Sequence, residues 1–427
     1  MIAAGLLIFD YFQIKERFPA QTFIGEVNVS GLDQAEAYEK LSRLKVGEVF
    51  SPLVTFEAEN RRFSFSPEAV GIKINYEATI RNAFEITHKE GYLKELKARL
   101  EREAIRCPLI LEADEKQLME VVEALSEELR STVRDATIIF YEETGGYHIE
   151  AEAPGRSLDA AKTTETFKAR LAQAEKIFPV FIDYEYPRIT EKVLREAPPV
   201  YRLSAYTTYY GTHDSPNRIH NIKLMASWLD GTLLMAEDEF SLVDAVGEFT
   251  PERGFKEAFV IYGGVLTPML GGGGCQIGTT LYNAAALADL EIISRRNHSF
   301  YFNIYPLGRD ATIYPGQIDL KFKNNTGQPL LIKSIATNKR LSFRLYGTPA
   351  GKKVEFSAPE VFLLGADNKY HPSSVKEVLE ADRPFKTTVI RTVYDSAGAK
   401  IKEETLRSSY KLYGEKSNVP IARPEPR

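Results

Sequence analysis

The chain has 427 residues, 44% hydrophobic and 26% charged, a composition that excludes a disordered protein and a length too great for one ordinary domain. A formal net charge of -5 argues against nucleic acid as the main partner. With only two cysteines, Cys107 and Cys275, a disulfide framework and a multi-cysteine zinc site are both excluded.

In chain order, Met1 to Phe9 is an apolar run that ends at Asp10. It is far shorter than the ~20 residues of a spanning helix, and no Lys or Arg precedes it as in a secretion signal. Two readings fit: a truncated membrane anchor with its linker over residues 1–21, or a plain buried segment. The polar and aromatic stretch Asp10 to Lys15 favours the anchor, because such residues gather at membrane interfaces.

Residues 22–195 read as one supersecondary unit written twice. Gly71, Ile74 and Asn75 precede a helix over Tyr76 to Thr87, and Gly155, Leu158 and Asp159 precede one over Ala160 to Ala174. Asn75 and Asp159 are expected N-caps. Alternation at Phe63 and Phe65, and at Tyr147 and Ile149, marks half-buried strands. Between the copies, Leu118, Val121, Val122, Leu125 and Leu129 define one face of a helix over Asp114 to Leu129, with a solvated acidic and basic face opposite. Cys107 opens an apolar strand running to Leu111 and is expected in the core. No nucleophile–base pair stands out here, so the repeats read as a binding or spacer region.

A Pro-rich linker, Glu196 to Tyr201, introduces the next region. A strand is expected over Leu203 to Tyr210 and a helix from Asn217 to Leu229, stopped by Asp230-Gly231. Four glycines, Gly271 to Gly274, then precede Cys275 and a helical run over Thr279 to Leu290. A thiol in the first turn of a helix meets the positive end of the helix dipole, which favours thiolate. The neighbouring glycine amides could hold an oxyanion. A phosphate loop and a buried structural cysteine are the competing readings, although the Lys-Ser/Thr of a Walker loop is missing. Strands follow at Leu290 to Arg296, Ile318 to Phe322, Leu330 to Ile335 and Leu341 to Tyr346. A tail hairpin is expected from Thr387 to Tyr394 and from Lys402 to Tyr413, turning at Ser396 to Gly398. Residues 416–427, with three prolines, read as a disordered tail.

Four motifs carry a resemblance: Gly272-Gly273-Gly274-Cys275-Gln276, Thr279-Thr280-Leu281-Tyr282-Asn283, Asn297-His298-Ser299, and Pro306 to Ala311 followed by Asp319 to Asn325. Together they resemble a VanW domain from about residue 204 to 347. The upstream repeats, with Val27 to Leu32 and the two Gly-turn units, resemble the peptidoglycan-binding domain that often precedes VanW domains and some L,D-transpeptidases.

The expected organisation is α+β and multidomain. Two α+β repeats over 22–195 precede a mixed α/β VanW-like domain over 196–350, a β-rich extension over 351–415 and the tail.

The family takes its name from a vancomycin-resistance cluster, and the resemblance implies cysteine-dependent acyl transfer of the L,D-transpeptidase type. By position, Cys275 would be the nucleophile, His298 its base and Asp310 the group orienting the imidazole. Gly273, Gly274, Gln276, Thr279, Thr280 and Tyr282 would line or support the substrate loop. Arg309, Arg218 and Arg296 would offer positive charge to stem-peptide carboxylates. In this chain Cys precedes His, the reverse of the better-known L,D-transpeptidase order, so a shared reaction would be convergent. Gly278 stands where the family usually has Ser. The implied partners are peptidoglycan and its stem peptides, with membrane contact through the anchor, at the outer face of the cytoplasmic membrane or in the wall. Neither cofactor nor metal is expected, since a thioester route needs none. The alternative readings are a non-catalytic wall-binding accessory protein linked to wall remodelling or glycopeptide resistance, and a cysteine peptidase or amidase using the same Cys–His pair on a different bond.

Overall fold

The computed structural model describes residues 11–12, 15–50, 52–89, 91–92, 96–97, 104–210, 214–262, 265–381 and 383–411. Most of the expected anchor and the whole of the expected disordered tail lie outside these residues. Among the described residues no helix is long and apolar enough to cross a membrane.

The chain forms two compact units that do not coincide with the expected boundary at 195. One comprises the described residues up to Arg134 together with Ala153–Pro187; the other comprises Asp135–Glu152 and the described residues from Arg188 onward. The hairpin of the second repeat, Thr137–Tyr141 and Gly146–Glu150, therefore belongs to the second unit. There Phe140 meets Tyr346 edge-on at 5.0 Å, and Glu142 pairs with Arg344.

In the first unit the repetition is real at the level of hydrogen bonds. Strand Ile72–Ile74 leads through Asn75 into helix Tyr76–His88, and strand Gly155–Leu158 leads through Asp159 into helix Ala160–Leu171. Each cap side chain accepts an amide three residues on, from Ala78 and Lys162 respectively, both at 2.9 Å. One turn later, buried Thr79 and Thr163 accept the amides of Ile110 and Phe181. The second strand after each helix then runs back antiparallel on the strand before it, Leu111–Ala113 on Ile72–Ile74 and Ile182–Glu185 on Gly155–Leu158. The two glycines differ: Gly71 has φ +78, whereas Gly155 lies in a regular strand where an added Cβ would come 2.8 Å from the Val133 amide nitrogen. Cys107 ends the strand Ile105–Cys107 instead of opening one, because Pro108 follows it. It is 1% exposed, and burial pushes its thiol up.

The second unit is built on an antiparallel sheet in the order Tyr201–Tyr209, Arg340–Gly347, Leu330–Ala336, Thr232–Leu234. Helices Pro216–Leu229 and Gly274–Leu287 share its apolar core, in which Ile222, Met225, Ile277 and Leu281 join Leu330, Ile332, Phe343 and Leu345. Helix Gly274–Leu287 is buried along nearly its whole length, from Gln276 to Ala286. Small or apolar side chains allow this, and polar groups along it find partners: Thr280 pairs with Thr208 at 2.7 Å, and the Ala284 carbonyl accepts from Ser204 at 2.7 Å.

The C-terminal sheet belongs to the same unit. Its long strand Phe385–Tyr394 pairs on one edge with Lys353–Phe356 and Glu360–Leu364, and on the other with Lys400–Tyr410.

Candidate active site

The helix carrying Cys275 begins at Gly274, five residues before the expected start, so the thiol is on its second residue. Periodicity could not find this start because Gly273 and Gly274 have no side chains to show it. Gly273 caps the helix with φ +112, a conformation that L side chains rarely adopt. Gly271 has φ +82, and a Cβ there would come 2.0 Å from the Phe249 ring. The close approach that the glycines permit is therefore made by the protein's own side chains. Inside the turn the Gly274 amide donates to the Gly271 carbonyl at 3.1 Å and the Gln276 amide to the Gly273 carbonyl at 3.0 Å. Of the loop amides expected to hold an oxyanion, these two are already engaged.

His298 follows the strand Glu291–Ser294, and Asp310 lies in the loop before Thr312. The imidazole Nδ1 is 2.6 Å from Asp310 Oδ2, and the same oxygen accepts the His298 amide at 2.7 Å. With Nδ1 engaged, Nε2 is the nitrogen left for Cys275, and the thiol and imidazole interact through both a hydrogen bond and charge. Tyr305 stacks on the imidazole at 5.3 Å and Phe302 meets it edge-on at 5.0 Å. Thr312 Oγ1 is 3.2 Å from Cys275 Sγ.

These contacts set the charges. Burial alone would push the Cys275 thiol up, but the His298 charge and hydrogen bond, with help from Thr312 and the Ile313 backbone, bring it down to about 7. Burial would likewise push His298 down, but the Cys275 charge and the Asp310 hydrogen bond raise it to about 9. Burial works against the Asp310 carboxylate too, yet the His298 and Tyr410 hydrogen bonds hold it below the usual range. The directions of these shifts favour thiolate at Cys275, imidazolium at His298 and carboxylate at Asp310.

Gln276, Arg218, Thr279 and Thr280, expected to bind substrate, are engaged within the protein, whereas the Arg296 side chain is exposed. Gln276 is fully buried, donates to Thr208 at 3.0 Å and accepts from Arg218 at 2.8 Å. Arg218 is further held by Asp214 at 2.8 Å, which neutralises the charge expected for a stem carboxylate. Thr279 Oγ1 both accepts the Ala311 amide and donates to the Ala311 carbonyl, each at 2.9 Å, so it fixes the backbone beside Asp310. Thr280 and Tyr282 are in the core. The Arg309 guanidinium lies over Phe356 at 4.4 Å, and the Arg296 carbonyl accepts the Thr312 amide at 2.8 Å. Gly278 is the fifth residue of the helix, too far in to cap it. A Cβ there would come 3.2 Å from Ile313 and 3.4 Å from the Ala311 carbonyl, so the position faces the scaffold under the 311–313 segment.

Four residues near the site carry no role expected from the sequence: Thr312, Tyr305, Arg295 and Tyr410. Arg295 donates to the Asp310 carbonyl at 2.7 Å, and Tyr410 donates to Asp310 Oδ1 at 2.6 Å. Thr312 and Tyr305 flank the quoted motifs, and a reading of their neighbours could have included them. Tyr410 is 100 residues from Asp310 in sequence, and only folding brings them together.

The geometry defines a class, a Cys–His–Asp arrangement at a helix start in a mixed α/β domain. Comparison with known proteins agrees with that domain: residues 217–346 match the family described as "VanW like protein", and residues 63–178 match the "Putative peptidoglycan binding domain". The chain thus carries a VanW-like domain preceded by a peptidoglycan-binding domain. It is 34% identical over 163 residues to "Uncharacterized protein YoaR" of Bacillus subtilis (strain 168), covering 38% of this chain and 53% of that protein. It is 35% identical over 115 residues to "Vancomycin B-type resistance protein VanW" of Enterococcus faecalis (strain ATCC 700802 / V583), covering 26% of this chain and 42% of that protein. The matched stretches thus span about half the length of these curated relatives. No solved structure matches the chain.

Proposed function

We propose that this is a cell-wall protein that binds peptidoglycan and uses Cys275 for acyl transfer on stem peptides, as an L,D-transpeptidase does. The observation that carries the reading is the buried His298–Asp310 pair at 2.6 Å beside a thiol lowered to about 7 at a helix start. The matched peptidoglycan-binding domain supports the choice of substrate.

In the acylation step the Cys275 thiolate attacks the carbonyl after the third stem residue, forming a C–S bond and an oxyanion. The Cys275 amide, on the second residue of the helix, is a donor suited to that oxyanion. Collapse breaks the C–N bond, and the imidazolium of His298 gives its proton to the departing D-Ala amine. In the second step His298 takes a proton from an incoming amine as that amine attacks the thioester carbonyl. The C–S bond breaks and Cys275 leaves as thiolate. Water in place of the amine gives a carboxypeptidase by the same proton movements. Asp310 holds the imidazole in place and stabilises its charge throughout.

The test is chromatography and mass spectrometry of tetrapeptide muropeptides after incubation with the protein. Cross-linked dimers are the expected product; shortened stems would mean hydrolysis, and unchanged substrate would overturn the reading in favour of a non-catalytic wall-binding protein.

A further inference from the structure

The hairpin of Phe385–Tyr394 and Lys400–Tyr410 lies beyond residue 346, where the match to the VanW-like family ends. Its last residue reaches the buried carboxylate. Tyr410 donates to Asp310 Oδ1 at 2.6 Å and accepts the Gly308 amide at 3.1 Å, so its hydroxyl joins the carboxylate to the turn that carries it. The ring is 1% exposed and packs on Phe385 at 4.9 Å.

Neighbouring residues repeat the connection. Ser408 accepts from Arg295 at 3.3 Å, the Ser409 carbonyl accepts from Asn297 at 2.9 Å, and the Lys411 amide donates to the Ser299 carbonyl at 2.7 Å. One strand end thus holds both the 295–299 segment bearing His298 and the turn bearing Asp310. On the other strand, Arg391 donates to the Ala286 carbonyl near the end of the Cys275 helix at 3.0 Å.

We propose that Tyr410 is a positioning residue for the Cys275–His298–Asp310 site, and that the C-terminal hairpin is a working part of it. The torsion that turns a carboxylate about its own axis is soft. Two donors from His298 hold Oδ2, and Tyr410 holds Oδ1, so the plane of the carboxylate is fixed against the imidazole. Arg295, at 3.5 Å from Oδ1, is the nearest full charge besides His298, and Tyr301 also faces the carboxylate. His298 faces Cys275 and Asp310, with Tyr305 stacked on it and Arg218 and Asp214 beyond that ring. The inference rests on Cys275 as the reacting group.

The experiment uses the full chain with Tyr410→Phe, which keeps the ring and removes the hydroxyl. Alkylation of Cys275 by iodoacetamide, located by peptide mass, is followed against pH beside muropeptide turnover. A roughly tenfold slower alkylation at pH 7 is expected, the size of a lost hydrogen bond to a charged group. The acid limb should move up, the alkaline limb of turnover should move down, and kcat should fall with KM unchanged. A variant identical to the parent in rates and pH profiles overturns the proposal. Should the variant not fold, tyrosine labelled with carbon-13 at Cζ in the parent chain replaces it. The Tyr410 resonance should then shift as Cys275 and His298 titrate, and a flat resonance overturns the proposal. If the parent protein leaves muropeptides unchanged but the alkylation profile still shifts, the acyl-transfer reading fails and the role of Tyr410 stands.

Discussion

At the residue scale, one coupled pair governs reactivity. The working form needs Cys275 without its proton and His298 with one. Cys275 loses its proton above about 7 and His298 keeps its proton up to about 9, so activity should be bell-shaped with limbs near those values. The sign is fixed: activity fades on the acid side as the thiolate gains a proton, and on the alkaline side as the imidazolium loses one. Measuring kcat/KM on muropeptides over a pH range that spans both limbs checks this; a profile that keeps rising beyond the alkaline limb contradicts it. Cys275→Ala or His298→Ala should abolish cross-linking while leaving the circular dichroism spectrum unchanged. Asp310→Asn should slow acylation on the order of 10²-fold, the lower end of what general acid–base assistance contributes.

At the scale of elements, the helix bearing the nucleophile is held at both ends. At its start, Gly271 fits only because no side chain competes with Phe249. Gly271→Ala should therefore lower the melting temperature and slow Cys275 alkylation, and adding Phe249→Ala should recover part of the alkylation rate by removing the clash. The positive φ of residue 271 would still strain the double variant. Near its end, Arg391 is 1% exposed and pairs with Asp289 at 3.2 Å and Glu404 at 2.6 Å. Arg391→Ala removes a buried side chain, its bond to the Ala286 carbonyl and one partner of Asp289, which keeps Lys352 at 2.7 Å, so the urea unfolding midpoint should fall.

At the scale of the molecule, the matched peptidoglycan-binding residues fall within the chain before the VanW-like match, and the candidate site lies in the second unit. Binding and chemistry should then separate: the full chain should pellet with purified sacculi, and Cys275→Ala should pellet equally well. Loss of pelleting with Cys275→Ala would mean that retention depends on a covalent intermediate.

The sequence by itself determined the local features. The two caps, the amphipathic helix ending at Leu129, the tail hairpin and its Asp395–Ala399 turn all follow from side chains close together in the chain, and the structure contains each. Cys275 and His298 stand out in the sequence by residue type and neighbouring motifs, and the fold brings their side chains together. The partners of the polar residues were not legible. Gln276, Thr279, Thr280 and Arg218 look available in a sequence, and only packing shows that Thr208, Ala311 and Asp214 already engage them. The contact between Asp310 and His298 needed the loop around Ala311 to be pinned by Thr279. Tyr410 needed a second strand folded back across 100 residues. Local propensity acts between neighbours, whereas the orientation of a buried carboxylate is decided by whichever donors the tertiary fold brings to its two oxygens.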